Sequence, residues 1–320
     1  MGDSIMGLST LQYIRELFPK SVISYALPLW ITQLYKNVDI SSDEVMNCDL
    51  KTMGDWFKLW KEVRAFKPDA IYEMHQAGRT KKFFELYSKC YKVPYLFHNH
   101  HLKSGGEIHD QGVIKAVIQR DLDGVYSLLS NHEKMPNYLE YPPKIEFTKK
   151  NKKRLILGVV ATRKTKMWPL EYYVDLARVC KTHMSDLHIS IPLSNSAADQ
   201  EIKRELESYG VSEFAEIVQI NLENLCEYIG NSKLYIGNDT GLKHLAIATG
   251  VKSYTLFGPE PPNEWHPYDE EVHPYFYKEG LECRTRDAHY CGLSECESMI
   301  CLNQFKPSEI FSAIKKDLDD

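Results

Sequence analysis

Three stretches of the chain hold side chains whose types and spacing suit group transfer, and a fourth suits recognition of an anion. The most informative, Leu234 to Trp265, reads LYIGNDTGLKHLAIATGVKSYTLFGPEPPNEW. An apolar strand ends at Gly237, a tight turn carries Asn238, Asp239, Thr240 and Gly241, and a helix begins at Leu242. Free N–H groups at a helix N-terminus, beside the Thr240 hydroxyl and a glycine that admits a ligand, suit a phosphate. Asp239 has two readings that pattern alone leaves open: accepting hydrogen bonds from sugar hydroxyls, or capping the helix. His244, one turn into the helix, is placed to face the same ligand, although a helical histidine is also commonly a packed residue. The second stretch, Thr162 to Pro169, puts Arg163, Lys164 and Lys166 with Thr162 and Thr165 directly after a strand. Such a loop neutralises a diphosphate leaving group without a metal, or is simply an exposed basic loop. In the third, Gly2-Asp3-Ser4, Asp3 is a general base if the fold brings it to a cleft and an N-cap otherwise. The fourth groups His98, His100, His101 and Lys103, with His109 further on, after a strand and near Gly105-Gly106, a set that suits an anionic ligand or, as the alternative, a metal site.

The elements that must position these residues follow from hydrophobic period. Short apolar runs read as strands at 21–26, 69–74, 95–98, 154–160, 187–193, 217–220, 234–237 and 253–257. Helical period appears at 8–17, 54–66, 81–91, 170–182, 199–208, 222–229 and 242–249. Strands alternating with helices indicate parallel sheets built from crossover units, a doubly wound α/β architecture. The segment YPPKIEFTKKNKK, Tyr141 to Lys153, separates two such sets, and RLILGVVA restarts the pattern at Arg154. Two domains are expected, residues 1–145 and 152–320, with a ligand cleft between the carboxyl ends of their strands and the last helix packing back on the first domain.

Composition narrows the function. The chain has 320 residues, long enough for two domains, and its 43% hydrophobic and 26% charged residues place it among globular proteins. With 39 basic against 44 acidic residues and the bases scattered except at Lys149 to Arg154, a nucleic-acid surface is not expected. No apolar run reaches the roughly 18 residues of a membrane span, and the first residues lack a secretion signal. Eight cysteines are too sparse for a disulfide scaffold, which points to a reducing cytoplasm. Four of them, Cys283, Cys291, Cys296 and Cys301, flank His289. Without a C-x2-C pair their metal signal is weak, and loop packing is favoured over a zinc site or a disulfide. The Asp121-Leu-Asp123 pair reads as a solvated helix face.

Taken together, the first three stretches resemble the ADP-heptose:lipopolysaccharide heptosyltransferases, glycosyltransferase family 9, a GT-B architecture of two facing Rossmann-like domains. DTGLKHLAIATG followed by TLFGP is similar to the family's DTGLSHLAAALG and ALFGPT; Thr162 to Pro169 is similar to TTRxxKxWP; Met1 to Pro19 is similar to MGDVLxTxPALxxLRxxFP; and His75-Gln76-Ala77-Gly78 is similar to a DxQG turn. The resemblance implies Asp3 as the base on the acceptor hydroxyl and Lys166 as a catalytic donor contact. It implies donor binding by Thr162, Lys166, Ile220, Asp239, Thr240, Gly241 and His244. Gln76, His98, His100, His101 and Lys103 are acceptor-side candidates, no metal site is assigned, and no cofactor is required. Ala161 stands where the family has a first threonine. The family also carries a β-strand before its GD motif, whereas Met1 already belongs to that motif here; the resemblance leaves two readings, a reading frame started at an internal methionine or a chain without that first strand. The implied activity is inverting, metal-independent transfer of heptose from ADP-heptose to a lipopolysaccharide or lipooligosaccharide core. The alternatives are a transferase for another nucleotide sugar, or a nucleotide-sugar-binding protein or epimerase on the same scaffold. A lipid-linked acceptor would bring a cytoplasmic enzyme to the inner face of the membrane.

Overall fold

A computed structural model describes residues 1–74, 78–97, 115–129, 134–150, 153–284, 291, 293 and 295–319. In chain order the elements are α1 (Gly2–Leu17), β1 (Ser24–Leu27), α2 (Leu29–Thr32), β2 (Glu44–Asn47), α3 (Met53–Phe66), β3 (Ile71–Glu73), α4 (Gly78–Tyr91), β4 (Tyr95–Phe97) and α5 (Val117–Leu129). There follow β5 (Arg154–Gly158), α6 (Leu170–His183), β6 (His188–Pro192), α7 (Ala197–Ser208), β7 (Glu216–Val218), α8 (Leu222–Gly230), β8 (Leu234–Asn238), α9 (Gly241–Ala248), β9 (Lys252–Leu256), α10 (Pro262–Trp265), β10 (Tyr275–Phe276), α11 (Ile300–Asn303) and α12 (Pro307–Asp319). Alternating parallel strands and helices make this the expected α/β fold.

The C-terminal half is built on a six-stranded parallel sheet of order β10-β9-β8-β5-β6-β7. Strands β5 and β8, side by side in register from Leu155–Leu234 to Gly158–Gly237, lead their connections to opposite sides of the sheet. The sheet order therefore reverses at this pair, and the loops after β5 and β8 flank the crevice where open α/β sheets bind ligands. Every residue of both strands is buried, which is why they read as continuous apolar runs rather than alternating ones.

The two loops are tied together by Asn238. Its Oδ1 accepts from the Trp168 N–H at 2.9 Å and from the Tyr173 hydroxyl at 3.0 Å, while its Nδ2 donates to the Val159 carbonyl at 2.8 Å. The Trp168 indole in turn donates to the Phe305 carbonyl at 2.9 Å. An amide with all these bonds met is a favourable buried group, and it sets the path of residues 159–169 against the end of β8.

In the N-terminal half, β1 pairs with β2 and β3 with β4, each pair parallel, and no ladder joins the pairs among the described residues. Helix α1 lies against both pairs. The Tyr25 hydroxyl of β1 donates to the Ser4 carbonyl at 2.9 Å, and Tyr25 and Met74, just past β3, both abut Gly7. Tyr35 donates to the same carbonyl at 3.0 Å.

A large core around β5, β6, β8, α6 and α12 belongs wholly to the C-terminal half. A second core joins Ile5, Leu8, Leu11, Tyr25 and Leu34 to Ile156, Tyr235, Leu245 and Ala246, so the two halves share apolar packing around α1 and α9. Among the described residues the last helix packs on α6 of its own half and not on the N-terminal half. Ile310, Ile314 and Leu318, spaced at i+4, bury one face of α12 in the core beside α6, and Asp317 pairs with Lys252 at 2.7 Å and accepts from the Tyr254 hydroxyl at 2.6 Å. Sequence periodicity also missed β2 and α12, the first because its four residues are only half buried at best.

Tyr235 sets a packing constraint at the switch point. A Cβ on Gly158 would overlap the Tyr235 hydroxyl and ring, and one on Gly237 would meet that hydroxyl at 2.5 Å. Gly158→Ala is expected to destabilise the fold by about 1–3 kcal/mol, seen as a lower melting temperature, with partial recovery in Gly158→Ala/Tyr235→Phe. Unchanged melting of the single variant would contradict the close approach.

Candidate functional site

Helix α9 starts at the carboxyl end of β8. Its N-cap residue is Thr240, extended at φ −149° and ψ 176°, and no side chain caps the helix. Asp239 is therefore not the cap. Its carboxylate is buried and spends both oxygens on lysines: Oδ2 accepts from Lys166 Nζ at 2.8 Å and Oδ1 from Lys243 Nζ at 2.6 Å. Burial alone would raise its pKa, but Lys243 and Lys166 outweigh that and hold it well below the ordinary carboxylate range. The carboxylate is ionised throughout the neutral range.

The two lysines differ in freedom. Lys243 has no exposed surface; it donates to the Trp265 carbonyl at 2.8 Å and lies 4.8 Å from the Phe257 ring centroid and 6.0 Å from that of Tyr268. Lys166 sits on the loop after β5 and keeps 14% of its side chain exposed, with Glu260 Oε1 at 4.0 Å. Arg163 on the same loop pairs with Glu260. Lys166 and Arg163 thus stand at the mouth of a helix N-terminus with Lys243 buried behind them, three cations against the two carboxylates of Asp239 and Glu260, a balance suited to a phosphate-bearing ligand.

The start of α1 closes on this mouth. A Cβ on Gly241 would lie 2.7 Å from Met1 Cε and 3.2 Å from the Gly2 nitrogen, so glycine here keeps the close approach of the two helix starts free of crowding. Asp3 is exposed in the first turn of α1, whose N-cap position is Met1, so it is not a cap either. His244, buried, abuts Gly2, and its Nδ1 lies 2.5 Å from the Tyr268 hydroxyl. Burial first, then Lys243, keep its imidazole neutral.

Comparison with known proteins decides the family. The profile of glycosyltransferase family 9 (heptosyltransferase) matches residues 121–289, just over half of the chain. The chain belongs to glycosyltransferase family 9. Lipooligosaccharide heptosyltransferase 2 of Campylobacter jejuni is 26% identical over 191 residues, 56% of this chain and 57% of that protein. The chain thus spans a little over half the length of this curated relative. Among solved structures, E. coli ADP-heptose lps heptosyltransferase II superposes with a TM-score of 0.72 at 16% identity, covering 99% of this chain and 95% of that one. E. coli heptosyltransferase WaaC with ADP gives 0.64 at 16% identity, covering 99% and 96%. At these identities the likeness establishes a shared fold, in agreement with the GT-B expectation.

The structure brings Lys166, Asp239, Thr240, Gly241, His244 and the amino end of α1 to one place. Thr162 is exposed on the Lys166 loop. Ile220 stands apart: it lines a surface cavity of about 310 Å³ with Arg154, Asn221, Tyr228 and Asn231, none of which joins the Asp239 cluster. Gln76, His98, His100, His101 and Lys103 lie outside the described residues, as do His109 and His289. Asp123 is not a solvated face residue; it pairs with Lys115 at 3.0 Å and accepts from Gln119 at 2.7 Å. All eight cysteines are free thiols.

Sequence reading missed Lys243, Tyr268 and Glu260. For Lys243 a signal existed, because Asp239 and Lys243 stand at i and i+4 across a helix start. Tyr268 and Glu260 reach the site from the segment after β9, which no local pattern reveals.

His266 and His273, behind the same wall, supply a pH dependence. Burial first, then Lys243, lower the His266 pKa to about 3, and burial, with Lys252 adding, lowers that of His273 to about 4. Folded pKa values below the unfolded value mean that the unfolded chain takes up protons first, so stability falls as pH drops below about 6.5 towards these folded values. The melting temperature is expected to decline from pH 7 to pH 5, and His266→Gln should flatten the decline.

Proposed function

We propose that this chain transfers a heptose, with inversion, from ADP-heptose to a hydroxyl of a lipopolysaccharide or lipooligosaccharide core. The observation that carries the reading is the meeting of two helix N-termini, α1 with Asp3 and α9 with Thr240 and Gly241, beside the partly exposed end of Lys166. The family membership supports glycosyl transfer, and the E. coli protein of the same fold solved with ADP supports an adenine nucleotide donor.

In this scheme the Asp3 carboxylate takes the proton of the acceptor hydroxyl as its oxygen attacks the anomeric carbon. The bond from that carbon to the donor diphosphate breaks, and the nucleoside diphosphate leaves with the electron pair. Lys166 and the first N–H groups of α9 neutralise the charge that develops on the leaving oxygen, with Arg163 in reserve on Glu260. Asp239 accepts from donor sugar hydroxyls, and His244, kept neutral, donates or accepts at the same mouth. Thr162 contacts the diphosphate from the β5 loop, and Ile220 is proposed as an apolar contact of the nucleotide. Residues 1–145 hold the acceptor, with Gln76, His98, His100, His101 and Lys103 as its contacts, and residues 152–320 hold the donor. Among the described residues no helix is long and apolar enough to cross a membrane. By the same reading, a lipid-linked acceptor is proposed to be met from the cytoplasm, at the inner face of the inner membrane.

Asp3→Asn is expected to lower kcat for heptose transfer to a heptose-deficient core by about 10²–10⁴-fold. Lys166→Ala is expected to cost about 10²–10³-fold, measured by mass spectrometry of the product. Transfer at the wild-type rate by both variants would reject these roles. Thermal-shift titration should rank ADP-heptose above UDP- and GDP-sugars; a preference for a non-adenine donor would reject the ADP-heptose assignment.

A further inference from the structure

Lys243 occupies a position where a neutral side chain would also fit a helix, yet it brings a full charge into the protein interior. Each of its directions is accounted for: Asp239 Oδ1 at 2.6 Å, the Trp265 carbonyl at 2.8 Å, and the faces of Phe257 and Tyr268. It has no exposed surface and no path to a ligand in the mouth of the site. Lys166, by contrast, holds the other oxygen of the same carboxylate with a partly exposed amine on a loop.

We propose that Lys243 is a positioning residue that releases Lys166 to the donor: as an internal counter-ion fixed in place it keeps Asp239 charged and paired while Lys166 leaves Asp239 for the diphosphate. A buried carboxylate stripped of its only cation is strongly unfavourable, so without Lys243 the Lys166 amine is held on Asp239 and does not serve the ligand. With Lys243 in place, Asp239 has one fixed and one exchangeable partner. The division matches the geometry, since the buried lysine comes from a helix and the exchangeable one from a loop after β5. This inference rests on the reading that a nucleoside diphosphate binds here.

The test is equilibrium binding of ADP, which carries the diphosphate without the sugar, measured by calorimetry on the full chain. Lys243→Met is expected to weaken ADP binding at least tenfold. Adding Asp239→Asn removes the charge that captures Lys166 and is expected to restore binding to within about threefold of wild type. Adding Lys166→Ala to that double variant should abolish the recovery. A purely structural role for Lys243 predicts a recovery that persists without Lys166. That result, or ADP binding by Lys243→Met at the wild-type level, overturns the proposal. Should Lys243→Met not fold, Lys243→Gln, which still donates to Asp239 without charge, takes its place in the same series. ADP, UDP and GDP are first compared on the wild type: a tighter UDP or GDP rejects the adenine donor while the series is run with that nucleotide, and binding of none of them rejects both readings.

Discussion

The site depends on one interaction, the ionised carboxylate of Asp239 held between Lys243 and Lys166. A buried charge is tolerated only when paired and hydrogen-bonded, and removing one partner of such a group typically costs about 3–5 kcal/mol. The pairing fixes more than one side chain. It draws the loop after β5 to the start of α9, and it sets a positive field under a helix N-terminus. Burial, with the same field adding, keeps His244 and His266 neutral.

Around this triad the fold supplies rigidity from uncharged groups. Asn238 meets both loops at the switch point with three hydrogen bonds, so the two segments that carry Lys166 and Asp239 cannot drift independently. Tyr235 fills the space that Gly158 and Gly237 leave open beneath them. The shared core of α1, α8 and α9 then brings Asp3 to the same mouth. The N-terminal half achieves this with two strand pairs, not joined among the described residues, against which α1 packs, with Tyr25 of β1 and Tyr35 just after α2 both donating to the Ser4 carbonyl.

Much of the C-terminal half was legible from sequence because its strands are fully buried and its helices amphipathic, which gives each a distinct periodic signature. Strands β5, β6, β8 and β9 and helices α6 to α9 fall within a few residues of their expected bounds. The weakly buried β2 carried no such signal, whereas α12 does carry an apolar 310, 314, 318 stripe, and its docking on α6 follows from that stripe finding an apolar partner there.

The sequence alone determined that Asp239, Thr240, Gly241, His244, Lys166 and Asp3 would stand at ends of strands and starts of helices, since apolar runs and turn residues place such junctions locally. Only the tertiary structure decided how their charges combine. Lys166 and Asp239 are 73 positions apart yet form a 2.8 Å pair, and Lys243, unremarked on a helix surface by sequence, becomes the fully buried partner of Asp239. The reason is physical: burial and pairing are properties of the assembled switch point, where the order of strands sets which loops meet and therefore which ions must neutralise each other.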